Sequence, residues 1–135
     1  MGIFQSLLLM GTKPLNKLEI ALMAFVKGGS TPEQFEAELR RSKVVILLKE
    51  APGTGAGIRP LVINGAGGAP GLCVFTHKER SLAIAKNAAE YPIALETEFE
   101  WVLSVTPPGV GMIFNAGTLF STEVVADGVD AMRSA

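Results

Sequence analysis

The sequence predicts an α+β fold: a single domain on a mixed β-sheet of about five to six strands, with helices packed against it. Three observations predict it. The helix-start pattern T/N-x-x-E/Q occurs at Asn16/Glu19, Thr31/Gln34, Thr76/Glu79 and Thr97/Glu100. Short aliphatic or β-branched runs alternate with these starts. Some of the runs are joined by turns short enough for hairpins, and no repeat or internal linker divides the 135 residues.

The elements follow in order. Asn16 is a good N-cap, so a helix is expected over residues 16–27. Leu18, Ala21, Leu22 and Phe25 form its core stripe, and Gly28 and Gly29 stop it. Thr31 caps the next helix, Pro32 takes its first position and Gln34 completes the box. Phe35 and Leu39 face inward there, while Arg40, Arg41 and Lys43 gather at its C-terminal end, where the dipole favours positive charge. Residues 44–48 (VVILL) are an unbroken aliphatic run, as in a strand buried on both faces. A Gly/Pro loop over 50–58 leads to a short strand at 60–64. The turn at 65–71 returns residues 72–76 as its antiparallel partner.

Thr76 and Glu79 are expected to box a third helix, reaching about residue 87, with Leu82, Ala83 and Ile84 as core positions. Residues 92–96 form a strand. Thr97 and Glu100 then open a helix that buries Phe99, Val102 and Leu103 and ends at Pro107-Pro108-Gly109. A strand at 110–115, a turn at Asn115-Ala116-Gly117, a weaker strand at 119–124 and a helix at 125–133 close the chain.

Composition narrows the function class. Hydrophobic residues make up 48% and charged residues 19%, with mean hydropathy +0.35, which excludes a disordered chain. No apolar run approaches the ~18 residues of a membrane span. A net charge of −1 argues against nucleic-acid binding, and the Arg40, Arg41, Lys43 group has no interleaved aromatics. One cysteine cannot make an internal disulfide, and with one histidine it does not make a zinc site, so no metal or cofactor is expected. The expected setting is soluble and cytoplasmic. Residues 1–15 read as an apolar arm ahead of a domain over 16–135. Residues 3–10 carry Ile3, Phe4, Leu7, Leu8 and Met10, with no positive charge before them and no small-residue cleavage site after them. Packed on a second copy, this arm would make a homo-oligomer.

Candidate chemistry is sparse. The glycine stretches at 53–57 and 65–71 lack both the Gly-Lys-Ser/Thr of a phosphate loop and the full dinucleotide fingerprint, so they read as connections. Cys73 and His77 are the thiol–imidazole pair of the chain. On a strand, four residues would hold them ~13 Å apart, too far for a hydrogen bond. Cys73 therefore reads as a small buried hydrophobe. Glu96, Glu98 and Glu100 form a carboxylate group that a strand-to-helix change at Thr97 would split between faces. Charge is uneven: residues 1–50 hold seven basic and five acidic groups, 51–90 hold four and two, and 91–135 hold one and six. The acidic C-terminal third reads first as a solvated face that keeps the protein soluble, with a docking face for a basic partner as the alternative.

The stretch VFTHKER (residues 74–80) resembles the VFTS-x-ER segment of the SseB family's N-terminal domain, from the bacterial "enhanced serine sensitivity" proteins. PPGVGMIFNAG (residues 107–117) resembles that family's PPG-x-G strand and NPG turn, with Ala116 in place of the proline. Residues 18–39 fit the family's early helical segment, so the resemblance runs over residues 16–127. It implies an α+β domain of a bacterial cytoplasmic protein, and longer members add a C-terminal domain. It carries over no catalytic residue and no cofactor. The expected function is a non-enzymatic binding or regulatory module acting through a protein partner. One alternative is an immunity protein neutralising a toxin. The other is a small-molecule-binding or enzymatic domain whose mouth would be formed by residues 65–71, His77 and residues 115–118. The candidate ligand or partner residues are His77, Asn115, Gly117, Thr118, Glu96, Glu98 and Glu100.

Overall fold

Five consecutive aliphatic residues leave a strand no face for water, and β1 (Lys43–Leu48) accordingly runs through the middle of the domain. In the computed structural model, which describes residues 13–53, 55 and 57–134, every β1 residue after Lys43 is buried. The arm at residues 3–10 lies outside the described residues. Val44, Ile46 and Leu48 enter the main core, and Val45 and Leu47 enter a smaller one with Cys73, Phe75 and Ile113. Alternation along the strand thus feeds two layers at once.

Among the described residues two helices precede β1. α1 (Lys17–Val26) starts at Asn16, whose side chain accepts from the Glu19 N–H. α2 (Pro32–Arg40) carries the full Thr31/Gln34 capping box. After β1 come β2 (Val62–Asn64) and β3 (Pro70–Val74), an antiparallel hairpin as expected. A 3₁₀ turn (Lys78–Ser81), α3 (Leu82–Ala85), β4 (Ile93–Glu98) and α4 (Phe99–Val105) then cross over. That crossover lets β5 (Gly111–Phe114) lie parallel to β3. β6 (Thr122–Val124) and α5 (Ala126–Ser134) close the described chain.

The fold is α+β with a mixed sheet. The ladder divides into β1–β4 and β2-β3-β5-β6, and bridges at Val45–Phe75 and Leu48–Pro60 join the two parts. The helices α1, α2, α4 and α5 bury Leu22, Phe35, Phe99 and Val129 in the main core. Phe35 sits edge-on to Phe114, their centroids 5.6 Å apart, at the centre of that layer.

Three local expectations are corrected. Thr76 does not cap the third helix: its hydroxyl turns inward, and His77 is the N-cap, its Nδ1 accepting from the Glu79 N–H at 3.1 Å. The segment opens as a 3₁₀ turn of three residues per turn, which shifts the helical phase and leaves Leu82 62% exposed and Ala83 in water. Thr97 does not open α4. Pairing of Thr97 with Val44 and Glu98 with Lys43 keeps both residues extended, and the helix begins at Phe99. Of the expected strand at 119–124, only Thr122–Val124 pairs, because Phe120 turns into the core.

The antiparallel β5–β6 pairing brings backbone close to Gly111, where an added Cβ would meet the carbonyl oxygen of Val124 and come within 3.2 Å of the Ala126 nitrogen. Both obstacles are backbone and cannot swing aside. Gly111→Ala is expected to lower the unfolding free energy by about 1–3 kcal/mol in urea denaturation. An unchanged midpoint would show that β6 is free to move away.

Candidate functional site

α1 has ten residues, and Glu19 is its only acidic one. It is also completely buried. A carboxylate in that position needs a cation and a full set of donors, because an unpaired buried charge is very costly. Arg80, from the 3₁₀ turn, supplies both ends of a bidentate pair: Nε donates to Oε2 at 2.9 Å and Nη2 to Oε1 at 2.8 Å. The Leu15 N–H donates to Oε1 at 2.9 Å, and the Thr76 hydroxyl donates to Oε2 at 2.7 Å. The four acceptor sites of the carboxylate are filled.

The cluster extends from there. Asn115 follows β5 in the left-handed region at φ 54, a conformation that asparagine tolerates better than most residues. Its Oδ1 accepts from the Thr76 N–H at 3.0 Å, and its Nδ2 donates to the Thr76 hydroxyl oxygen at 2.9 Å. That leaves the single Thr76 hydroxyl proton for Glu19. Asn16 Nδ2 donates to the Thr76 carbonyl at 2.8 Å, so the α1 cap is tied to the same strand end. The Arg80 guanidinium lies 4.8 Å over the Phe120 ring and also donates to the Lys13 carbonyl at 3.0 Å. The cluster thus joins the start of α1, the carboxyl ends of the parallel strands β3 and β5, and the 3₁₀ turn.

Burial alone pushes the Glu19 carboxyl upward. Hydrogen bonds from Arg80, Thr76 and the Leu15 N–H, with the guanidinium charge, outweigh it and hold the group below its ordinary 4.5. Burial pushes the Cys73 thiol up to about 11, so it stays protonated at neutral pH.

The structure gathers four of the expected site residues beside this cluster. His77 caps the 3₁₀ turn and is partly exposed. Asn115 is wholly buried, and the Thr118 hydroxyl donates to its carbonyl at 2.8 Å. Gly117 holds φ +81 against the Ile84 side chain. The glycine turn at 65–71 does not join them. It precedes β3 while His77 follows it, and Glu123 holds that turn from the opposite end of the sheet through the Ala66 N–H. The carboxylates are elsewhere again. Glu96 and Glu98 share the open face of β4, because the strand continues through Thr97. Glu100, on α4, pairs with Arg40 at 2.9 Å. Among the described residues no group of three His, Cys, Asp or Glu is placed to hold a metal, and no helix is long and apolar enough to cross a membrane.

Glu19 and Arg80 were not singled out from the sequence as site residues. Two signals pointed to them: one acid in a helix whose other residues after Lys17 are apolar, and an arginine inside the VFTHKER motif.

The model of the SseB protein N-terminal domain family matches residues 18–131, and the matched span includes Glu19, Thr76, Arg80 and Asn115. No curated protein and no solved structure matches the chain.

Glu19→Gln removes the charge that Arg80 faces and is expected to destabilise the fold by about 3 kcal/mol. The pH dependence follows from the depressed group. Its stabilisation is complete above the unfolded value of 4.5 and is lost as pH falls through the lower folded value. Urea titrations should show wild type losing its advantage over Glu19→Gln as the solution is acidified below pH 4.5. A gap that is constant with pH would mean the carboxylate is not the stabilising form.

Proposed function

The chain belongs to the SseB protein N-terminal domain family, and on that premise we propose that it is a non-enzymatic protein-binding or regulatory module of the bacterial cytoplasm. The observation that supports this reading is that the buried Glu19 carboxylate and its partners are satisfied within the fold. Glu19, Thr76, Arg80 and Asn115 spend their donors and acceptors on one another and on backbone, as a scaffold does. A general base needs a free lone pair aimed at substrate, and the Glu19 carboxylate has none to offer. The buried Cys73 thiol is held protonated.

Function then rests on surface. Among the described residues β4 pairs with β1 alone and forms an edge of the sheet. Ala94, Glu96 and Glu98 stand exposed along it. An edge strand offers backbone hydrogen bonds to an extended segment, and the two carboxylates select a basic one.

The test is a pull-down from the native lysate with the tagged full chain and its Glu96→Lys/Glu98→Lys variant. The reading expects one stoichiometric protein partner, retained at low salt and reduced at least about tenfold by the charge reversal. A bait-only lane, together with a thermal shift on adding amino acids or nucleotides, would contradict it and point to a ligand-binding domain.

A further inference from the structure

Single exposed apolar side chains are ordinary, but a gathering of them marks a contact surface. Among the described residues the exposed leucines are Leu15, Leu82 and Leu119, and all three stand around the Arg80 side chain. Leu82, 62% exposed, follows Arg80 by two residues. Leu119, 54% exposed, precedes Phe120, whose ring lies 4.8 Å from the Arg80 guanidinium. The Leu15 N–H donates to the same Glu19 oxygen that Arg80 Nη2 reaches. The segments after Arg80 and before Phe120 also run side by side, since a Cβ on Gly117 would stand 3.8 Å from that of Ala83.

The arm is joined to the domain at this place. Arg80 Nη2 donates to the Lys13 carbonyl at 3.0 Å, which fixes the point to which residues 1–12 are attached. Those residues include Ile3, Phe4, Leu7, Leu8, Leu9 and Met10 and carry no charged side chain. From Lys13 the chain reaches Leu7 within at most about 20 Å, while a domain of this size is about 35 Å across. The far faces of the domain are therefore beyond the reach of Leu7–Met10. So short a tether also gives the arm a local concentration on the order of millimolar at its own patch.

We propose that the arm at residues 3–10 packs on its own domain and covers Leu15, Leu82 and Leu119, in place of the second copy that the sequence suggests. An uncharged, apolar segment suits an apolar patch, and the attachment point brings the two together. The same cover closes the outer side of Arg80, whose side chain is 19% exposed, and so shuts water further from its pair with Glu19. The contact stands apart from the β4 edge, so the result of the pull-down does not decide it.

Limited chymotrypsin digestion of the full chain tests it, with mass spectrometry reading cleavage after Phe4, Leu7 and Leu8 at about 2 and 200 μM protein. Wild-type cleavage in the arm is expected to be slow and equal at the two concentrations. Leu82→Asp/Leu119→Asp, at exposed positions, is expected to be cut in the arm at least about tenfold faster, with an unchanged circular dichroism spectrum. Equal rates in the two proteins would overturn the proposal. Protection that grows with concentration would place the arm on a second copy and overturn it too. The arm variant Leu7→Glu/Leu8→Glu alters no described residue and gives a second reading by NMR. The amide resonances of residues 82–84 and 117–119 are expected to shift in it while those of β4 stay in place. No shift at the patch would contradict the proposal.

Discussion

The Glu19–Arg80 pair is the constraint on which the arrangement of this domain turns. Removing a carboxylate and a guanidinium from water costs several kcal/mol for each ion, and their attraction offsets that only with good geometry and full hydrogen bonding. Here the geometry is bidentate, and the Thr76 hydroxyl and Leu15 N–H complete the carboxylate's set. The ion pair therefore cannot be satisfied by its two members alone. It demands that α1 begin where it does, that the chain leaving β3 place Thr76 beside it, and that the chain then turn tightly enough to present Arg80. Asn115 adds β5 to the same condition by accepting from the Thr76 N–H. Three stretches far apart in the chain, at residues 15–19, 76–80 and 115, are tied at one end of the sheet, and the hydrophobic layers beneath them are registered accordingly.

Much of the fold was legible because its signals are local. The five aliphatic residues of β1 announce a strand buried on both faces, and Thr31, Pro32 and Gln34 announce α2 to the residue. The hairpin of β2 and β3 follows from the glycine-rich turn between two short apolar runs. The failures are equally physical. Thr76 and Thr97 carry the same helix-start pattern as Thr31, yet neither caps a helix. Thr76 is drawn inward by Glu19, 57 residues away in the chain. Thr97 is held extended by β1. A capping box stabilises a helix by about 1 kcal/mol, and a charge-assisted buried hydrogen bond or a strand ladder outweighs it. Glu19 illustrates the limit most plainly. Three residues after Asn16 it fits the box position, and its carboxylate instead reaches Thr76 and Arg80, which nothing local identifies.

The candidate site was legible in its residues and not in its geometry. The two motif segments do converge, since Thr76 and Arg80 come from one and Asn115 from the other. Their convergence makes a tie between strand ends, and sequence spacing could not show that the glycine turn at 65–71 falls at the other end of a parallel pair. The acidic third of the chain likewise resolves into separate places: Glu100 neutralised by Arg40, Asp130 by Arg133, and Glu96 with Glu98 open on an edge strand. Shared sign along the chain becomes a surface only where the fold leaves the charges unpaired.

The central claim is that Glu19 and Asn115, which act through Thr76, belong to one cooperative unit. A double-mutant cycle of Glu19→Gln and Asn115→Gly measures it most directly, glycine keeping the left-handed backbone while deleting the side chain. The account predicts a coupling free energy of about 1 kcal/mol or more, because either change alone already loosens the shared Thr76 hydroxyl. Additivity within about 0.3 kcal/mol would contradict it and show two independent contacts that merely share a neighbourhood.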